Sequence, residues 1–198
     1  ESDIAERFIA SFSSVKLKEL HENKAAVSKR MQNLGFMYEN CLLVKGFPSQ
    51  TASVKTFDAH LRMVYAQLEY KPDMIIVDYA GEMAGVKPIQ KYGSSERHLE
   101  LGSIVSDLAG MGQERKISMW TGAQANRSKV ARELLAVEDI AECFHGVFLA
   151  STVVTLNQNQ LEYENHKMRI FLAKNRKGLS KKIVSISTNF EMGSFWRR

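Results

Sequence analysis

Residues Met74-Ile75-Ile76-Val77-Asp78-Tyr79 set an unbroken run of large apolar side chains directly before a carboxylate. A strand of that composition has no polar face, so the run predicts a strand covered on both sides, as in the middle of a parallel sheet with helices above and below. Asp78 then stands at the carboxyl end of the strand, the edge at which open α/β sheets bind ligands. A carboxylate there suits a magnesium ion held through its water shell beside a nucleotide phosphate. A buried strand that ends in Asp at a turn is the plainer alternative.

The flanking sequence alternates helical and extended patterns. Residues 3–38 have helical spacing, in two helices broken near Ser13-Ser14, the second with Val27, Met31, Leu34, Phe36 and Met37 as its apolar positions. Cys41-Leu42-Leu43-Val44 predicts a short strand closed by a turn over Gly46–Gln50. Val54–Leu68 repeats Phe57, Leu61, Val64, Tyr65 and Leu68 at helical spacing, with Ser53 as N-cap. Gly81–His98 has no clear period and predicts a long loop, whereas Leu99–Arg115 predicts a helix and Ile117–Thr121 a second strand. Residues 129–145 read as mostly helix or loop, and Val147–Leu156 as a strand rich in β-branched residues. Arg169–Ala173, Ile183–Thr188 and Ser194–Trp196 follow as strands, with Asn175–Lys182 as a hairpin tip. Helices alternating with strands, then a β-rich end, predict an α/β fold: a mainly parallel sheet flanked by helices and finished by antiparallel strands.

A chain of 198 residues predicts one domain with a core that needs neither disulfides nor a structural metal. No apolar stretch approaches the roughly 20 residues that span a bilayer, which argues against a membrane partner. Cys41 and Cys143 fit neither a disulfide framework nor a zinc ribbon, so reduced thiols and a cytoplasmic setting are expected. Cys143 and His145 lack a second Cys/His pair at zinc spacing. The formal charge of +5 is compatible with a polyanionic partner. Helical periodicity from Glu1 onward, with Ile4, Phe8, Ile9 and Phe12 on one side, predicts a piece of something longer.

Three polar clusters sit just past strand ends: Asp78-Tyr79, Gln124-Ala125-Asn126-Arg127 and Lys174-Asn175-Arg176-Lys177-Gly178. A carboxylate, a carboxamide and an Arg/Lys pair on such edges are the parts of phosphoryl transfer to water, with Asp for the metal, Gln for the water or the γ-phosphate, and Arg with Lys for charge neutralisation. Each cluster alone also reads as an ordinary turn or a solvated hairpin tip. Phe195-Trp196 reads as core or subunit contact rather than a base-stacking platform.

Taken in order, Met74–Tyr79, Thr121–Arg127 and Ala173–Gly178 resemble three successive signatures of the DnaB-type replicative helicases, hexameric motors with a RecA-like core. The family runs an apolar strand ending Asp-Tyr, then Ser-Gln-Leu-Asn/Ser-Arg, then Ala-Lys-Gln-Arg-Asn-Gly. Asp139-Ile140-Ala141-Glu142-Cys143 also resembles its Asp-hydrophobic-Arg-Glu-Ser element, and phage-encoded members are nearest in character. The resemblance covers almost the whole chain. It implies ATP and magnesium as cofactors, with Asp78 at the metal and Gln124 linking the γ-phosphate to DNA-binding loops. Lys174 and Arg176 would reach into the neighbouring subunit's ATP site, contributing both to binding and to catalysis. It further implies a homo-hexamer threaded by single-stranded DNA. Lys87, Lys91 and Arg97 after Asp78, Arg127 and Lys129 after Gln124, and Glu142 are the candidate nucleic-acid residues, with primase or a helicase loader as candidate partners.

The departures are specific. No Gly-x-x-x-x-Gly-Lys-Ser/Thr occurs and no glycine is followed by lysine, so the loop that cradles phosphates is not in this sequence, and this stretch alone is expected not to hydrolyse ATP. In the family that loop lies upstream of the helix with which this chain opens. Aligning Asp3–Arg7 places the family's catalytic glutamate before Glu1, and only a shifted register would give Glu1 that role. Ala141 stands where the family carries arginine, and Phe144 where it carries glycine. Two other readings remain open on the residues: a different RecA-like ATPase, such as a recombinase or regulatory ring, and a non-catalytic DNA-binding or assembly module.

Overall fold

The computed structural model describes residues 2–37, 42–85, 94–125, 133–140 and 144–196. Helices α1 (Ser2–Ser13), α2 (Lys24–Met37) and α3 (Val54–Leu68) are followed by strand β1 (Met74–Val77), helix α4 (Ser94–Arg115) and strand β2 (Ser118–Thr121). Helix α5 (Phe144–Leu149), strand β3 (Thr152–Asn157), helix α6 (Gln160–Glu164) and strands β4 (Lys167–Asn175), β5 (Lys182–Asn189) and β6 (Ser194–Trp196) complete the chain. The described strands form a two-stranded parallel sheet, β1–β2, and a four-stranded sheet in the order β3–β4–β5–β6, so the fold is α/β. In the latter, β5 and β6 are antiparallel, Thr188 opposite Phe195.

The chain divides into two compact units, residues 47–155 with 171–182 and residues 1–46 with 156–170 and 183–198. In the first, α3 and α4 pack on one face of β1–β2. Val54 of α3 joins Val77, Ala80 and Met83 and the α4 residues Leu101, Ile104, Leu108 and Met111 in a buried cluster, with Ile75 and Met119 against it. Helix α3 starts where its chemistry dictates: the Ser53 hydroxyl accepts the Thr56 amide while the Thr56 hydroxyl accepts the Ser53 amide, a reciprocal cap. In the second unit, Lys16 pairs with Glu191 at 2.7 Å and the Ser11 hydroxyl donates to the Gly193 carbonyl, joining the end of α1 to the β5–β6 turn.

Several sequence expectations are corrected. The β1 run is covered on one face only: Ile75 and Val77 face the core, while Met74 and Ile76 are 52% and 70% exposed. The two helices lie against one face of the β1–β2 ribbon. Leu42–Val44 is not a strand and its side chains are exposed, with no strand paired to it among the described residues; Cys41 lies outside them. Helix α4 begins at Ser94, not Leu99, since its first turns carry charged side chains that show no apolar period yet are tied by an Arg97–Glu100 ion pair at i,i+3. Residues 147–149 end helix α5, and β3 starts only at Thr152; their β-propensity yields to carbonyl contacts made from far along the chain. Helix α6 falls between two expected strands, on an Asn159/Glu162 capping box. Phe195 and Trp196 are about half exposed rather than core, Phe195 meeting Phe190 edge to face.

Candidate functional site

Strands β1 and β2 run parallel in the register Val77↔Thr121, so both chains leave the sheet at the same edge. Asp78–Tyr79 and Gly122–Gln124 are therefore neighbours, and a Cβ on Gly122 would touch the Tyr79 Cβ at 3.7 Å. Thr121 locks the edge: its Oγ1 accepts the Ala80 N–H at 2.9 Å and donates to the Val77 carbonyl at 3.1 Å. The Asp78–Tyr79 peptide is cis. The Asp78 carboxylate is exposed and takes no hydrogen bond or ion pair among the described residues. Gln124 is exposed on the segment that leaves β2 at the same edge, and the next residue, Ala125, makes an antiparallel bridge to Ile140.

The segment after Asp78 is held by a dense polar network. Glu82 accepts from Ser49 at 2.5 Å and from Tyr79 at 3.2 Å, bonds that hold its carboxyl below the usual carboxylate range, with Arg97 adding in the same direction. The Gln50 side chain donates to the Gly81 carbonyl at 2.9 Å and its amide to the Glu82 carbonyl at 2.8 Å. Arg97 pairs with Glu100 at 2.5 Å and also donates to the Gly81 carbonyl, while the other Glu100 oxygen accepts the Gly85 N–H at 3.1 Å.

Lys174 and Arg176 come together at the last turn of α5. Lys174 Nζ donates to the carbonyls of Val147 at 2.8 Å and Phe148 at 3.0 Å, and Arg176 to those of Phe148 at 2.9 Å and Leu149 at 3.3 Å. These are carbonyls that a helix end leaves without intrahelical donors, and cations are favoured there. Neither cation is paired with a carboxylate among the described residues. Asp139 is buried and its Oδ2 accepts the Ala136 amide at 2.8 Å, closing a helical turn over Val137–Asp139.

Lys87, Lys91, Arg127, Lys129 and Glu142 lie outside the described residues, as do Asn126, Ala141 and Cys143. Arg97 is described, with its guanidinium directed at Glu100, Gly81 and Gln50. Sequence reading passed over Thr121, Ser49 and Glu100; the first was visible as the polar residue closing β2, whereas the partner of Glu100, Arg97, falls in a stretch whose sequence shows no helical period.

A lone exposed carboxylate at a strand end matches the donor set of magnesium, which keeps several waters and takes one or two carboxylates plus substrate phosphates. Among the described residues no group of three or more His, Cys, Asp or Glu is placed to form an all-protein metal cage. No described helix is long and apolar enough to cross a membrane.

Parallel strands ending in an unpartnered carboxylate and a Gly-Ala-Gln segment, with helices packed on the sheet and antiparallel strands at the C-terminal end, define an α/β protein with a ligand-binding strand edge. The family model for the DnaB-like helicase C-terminal domain matches residues 1–195, and the chain belongs to that family. A DnaB-like replicative helicase of Enterobacteria phage T4 is 29% identical over 101 residues, which is 51% of this chain and 21% of the phage protein. Among solved structures, a DnaB-like replicative helicase studied with its primase interactions superposes with a TM-score of 0.79 at 18% identity, over 98% of this chain and 48% of that one. An ATPase domain superposes at 0.74 and 16% identity, over 97% of this chain and 69% of that one. The chain thus spans about half the length of that helicase, and the match covers about a fifth of the phage relative.

Proposed function

We propose that this chain is part of the ATPase core of a replicative DNA helicase that works as a homo-hexamer on single-stranded DNA, using ATP and magnesium. The observation that carries the reading is the strand edge of β1 and β2, where Asp78 stands unpartnered beside the segment leading to Gln124 in a chain of the DnaB-like family. When bound, the metal would supply charge neutralisation at the nucleotide phosphates. Asp78 would hold it, and Gln124 would orient the attacking water or sense the γ-phosphate. Lys174 and Arg176, cations without a carboxylate partner among the described residues, serve a neighbouring subunit's site, which makes the active site a property of the ring.

Lys87, Lys91, Arg127 and Lys129 contact DNA phosphates without reading bases, and Glu142 is a further residue of the nucleic-acid interface. A primase or a loader is the protein partner, primase being the one with which a structural neighbour was studied. Because the sequence holds no phosphate-cradling motif, residues 1–198 alone do not turn over ATP, and steady-state hydrolysis by that stretch at the rate of an intact motor would refute this. The test of the whole reading is strand displacement from a forked duplex by the whole protein with ATP and magnesium. Turnover without displacement would point to a RecA-like ATPase of another kind, and no turnover at all to a non-catalytic module.

A further inference from the structure

The Asp78 carboxylate has no hydrogen-bonding partner among the described residues, so its position follows from the backbone that carries it. That backbone is held from three sides, one of them residues 49–52, where Gln50 bonds the Gly81 and Glu82 carbonyls and the Ala52 carbonyl accepts the Ala84 amide at 2.9 Å. On the β2 side, Thr121 bonds the Val77 carbonyl and the Ala80 N–H. On the α4 side, one ion pair does the work: Arg97 donates to the Gly81 carbonyl, and Glu100, which Arg97 meets at 2.5 Å, accepts the Gly85 N–H at 3.1 Å.

Two glycines of this strap lie at close approaches, one of them to the clamp. A Cβ at Gly85 would lie 2.7 Å from Glu100 Oε1, and one at Gly81 would lie 2.4 Å from the Tyr79 ring. A Cβ at Gly85 would therefore push the Glu100 carboxylate aside, and one at Gly81 would displace the Tyr79 ring within the strap itself. Between them, the Glu82 amide donates to the Tyr79 carbonyl at 2.9 Å and the Met83 amide to the Ala80 carbonyl at 3.1 Å, so a displacement at one end of the strap is passed to the other.

We infer that Arg97 and Glu100 are positioning residues for the Asp78 carboxylate, gripping the strap at Gly81 and Gly85, and that Arg97 acts through this grip rather than by contacting DNA. This rests on the metal role assigned to Asp78 above. Side chains that orient a metal ligand typically change metal affinity by about tenfold or more when removed. A cation on a DNA phosphate has a different signature, since its loss lowers the salt dependence of binding by about one counterion.

The experiment uses the whole protein with Arg97→Ala, Glu100→Gln and Gly85→Ala, the last chosen because its Cβ displaces the Glu100 carboxylate while leaving both charges in place. Without nucleotide, amide hydrogen exchange at residues 80–85 should accelerate roughly tenfold in Arg97→Ala and Gly85→Ala, with the β2 amides unchanged. With ATP, the magnesium concentration for half-maximal hydrolysis should rise about tenfold, kcat at saturating magnesium should change far less, and the slope of log affinity for single-stranded DNA against log salt should stay at the wild-type value. Unchanged exchange, an unchanged magnesium requirement, or a slope lowered by about one in Arg97→Ala alone would each overturn the inference. Wild-type protein with no magnesium-dependent hydrolysis would overturn the Asp78 reading and this inference together, whereas active wild type with unaffected variants would overturn this inference alone.

Discussion

The Thr121 hydroxyl accepts the Ala80 amide at 2.9 Å across a separation of 41 residues, and it returns its own proton to the Val77 carbonyl at 3.1 Å. One side chain thereby ties the end of β2 to both sides of Asp78. Thr121→Val keeps the shape and removes both bonds, leaving the N–H of buried Ala80 without an acceptor. The expected cost is about 1–3 kcal/mol in urea unfolding, with a fall in magnesium-dependent hydrolysis by the whole protein. A variant as stable and active as wild type would show that the edge is set by the sheet alone.

Asp78→Ala separates chemistry from folding. The carboxylate makes no contact with a described partner, so stability should move by no more than about 0.5 kcal/mol while magnesium-dependent hydrolysis is abolished. Thermal melting and ATP turnover measured on one preparation decide it; undiminished turnover would remove Asp78 from the metal site.

Arg176→Ala tests catalysis across a subunit boundary. Rings assembled from mixtures of wild-type and variant whole protein should lose activity more steeply than the variant fraction, because each variant subunit disables a neighbour's competent site. A linear decline would place Arg176 outside that site.

Acid should weaken the unit that holds the site. Burial pushes the Asp58 carboxyl up, but hydrogen bonds from Arg115 at 2.6 Å and Arg62 at 2.9 Å outweigh it and hold the group below its ordinary value. A depressed folded-state value means stability that is complete above the unfolded carboxylate range and is lost as pH falls through the folded one. Urea midpoints should therefore fall below about pH 4, with a shallower dependence in Asp58→Asn. Glu82, depressed by Ser49 and Tyr79, shifts the same way.

Ser53→Ala removes one half of the reciprocal cap on α3. Loss of about 1 kcal/mol in chemical denaturation is expected, and Ser53→Asp should restore most of it.

Local chemistry explains which elements were legible in advance. Helix α3 declares itself through Ser53 and a 3.6-residue apolar repeat, β1 and β2 through short β-branched or aromatic runs, and the β4–β5 hairpin through its polar tip. Their order was enough to place Asp78 and the segment to Gln124 at one edge, since parallel strands with a helical crossover must end together. The first turns of α4 and the helical state of 147–149 were not legible, because the contacts that support them are an ion pair on a polar face and two cations arriving from β4 and its turn.

The order of apolar runs and polar strand ends, which depends on residues near one another in the chain, determined the α/β class and the candidate Asp78, Gln124, Lys174 and Arg176. Tertiary structure alone decided what holds them. Thr121 reaches Ala80, Arg97 grips Gly81, and Lys174 and Arg176 occupy the carbonyls of α5, each a hydrogen bond between groups far apart in sequence. Such bonds depend on the distance and angle between two atoms, and residue spacing along a chain carries neither.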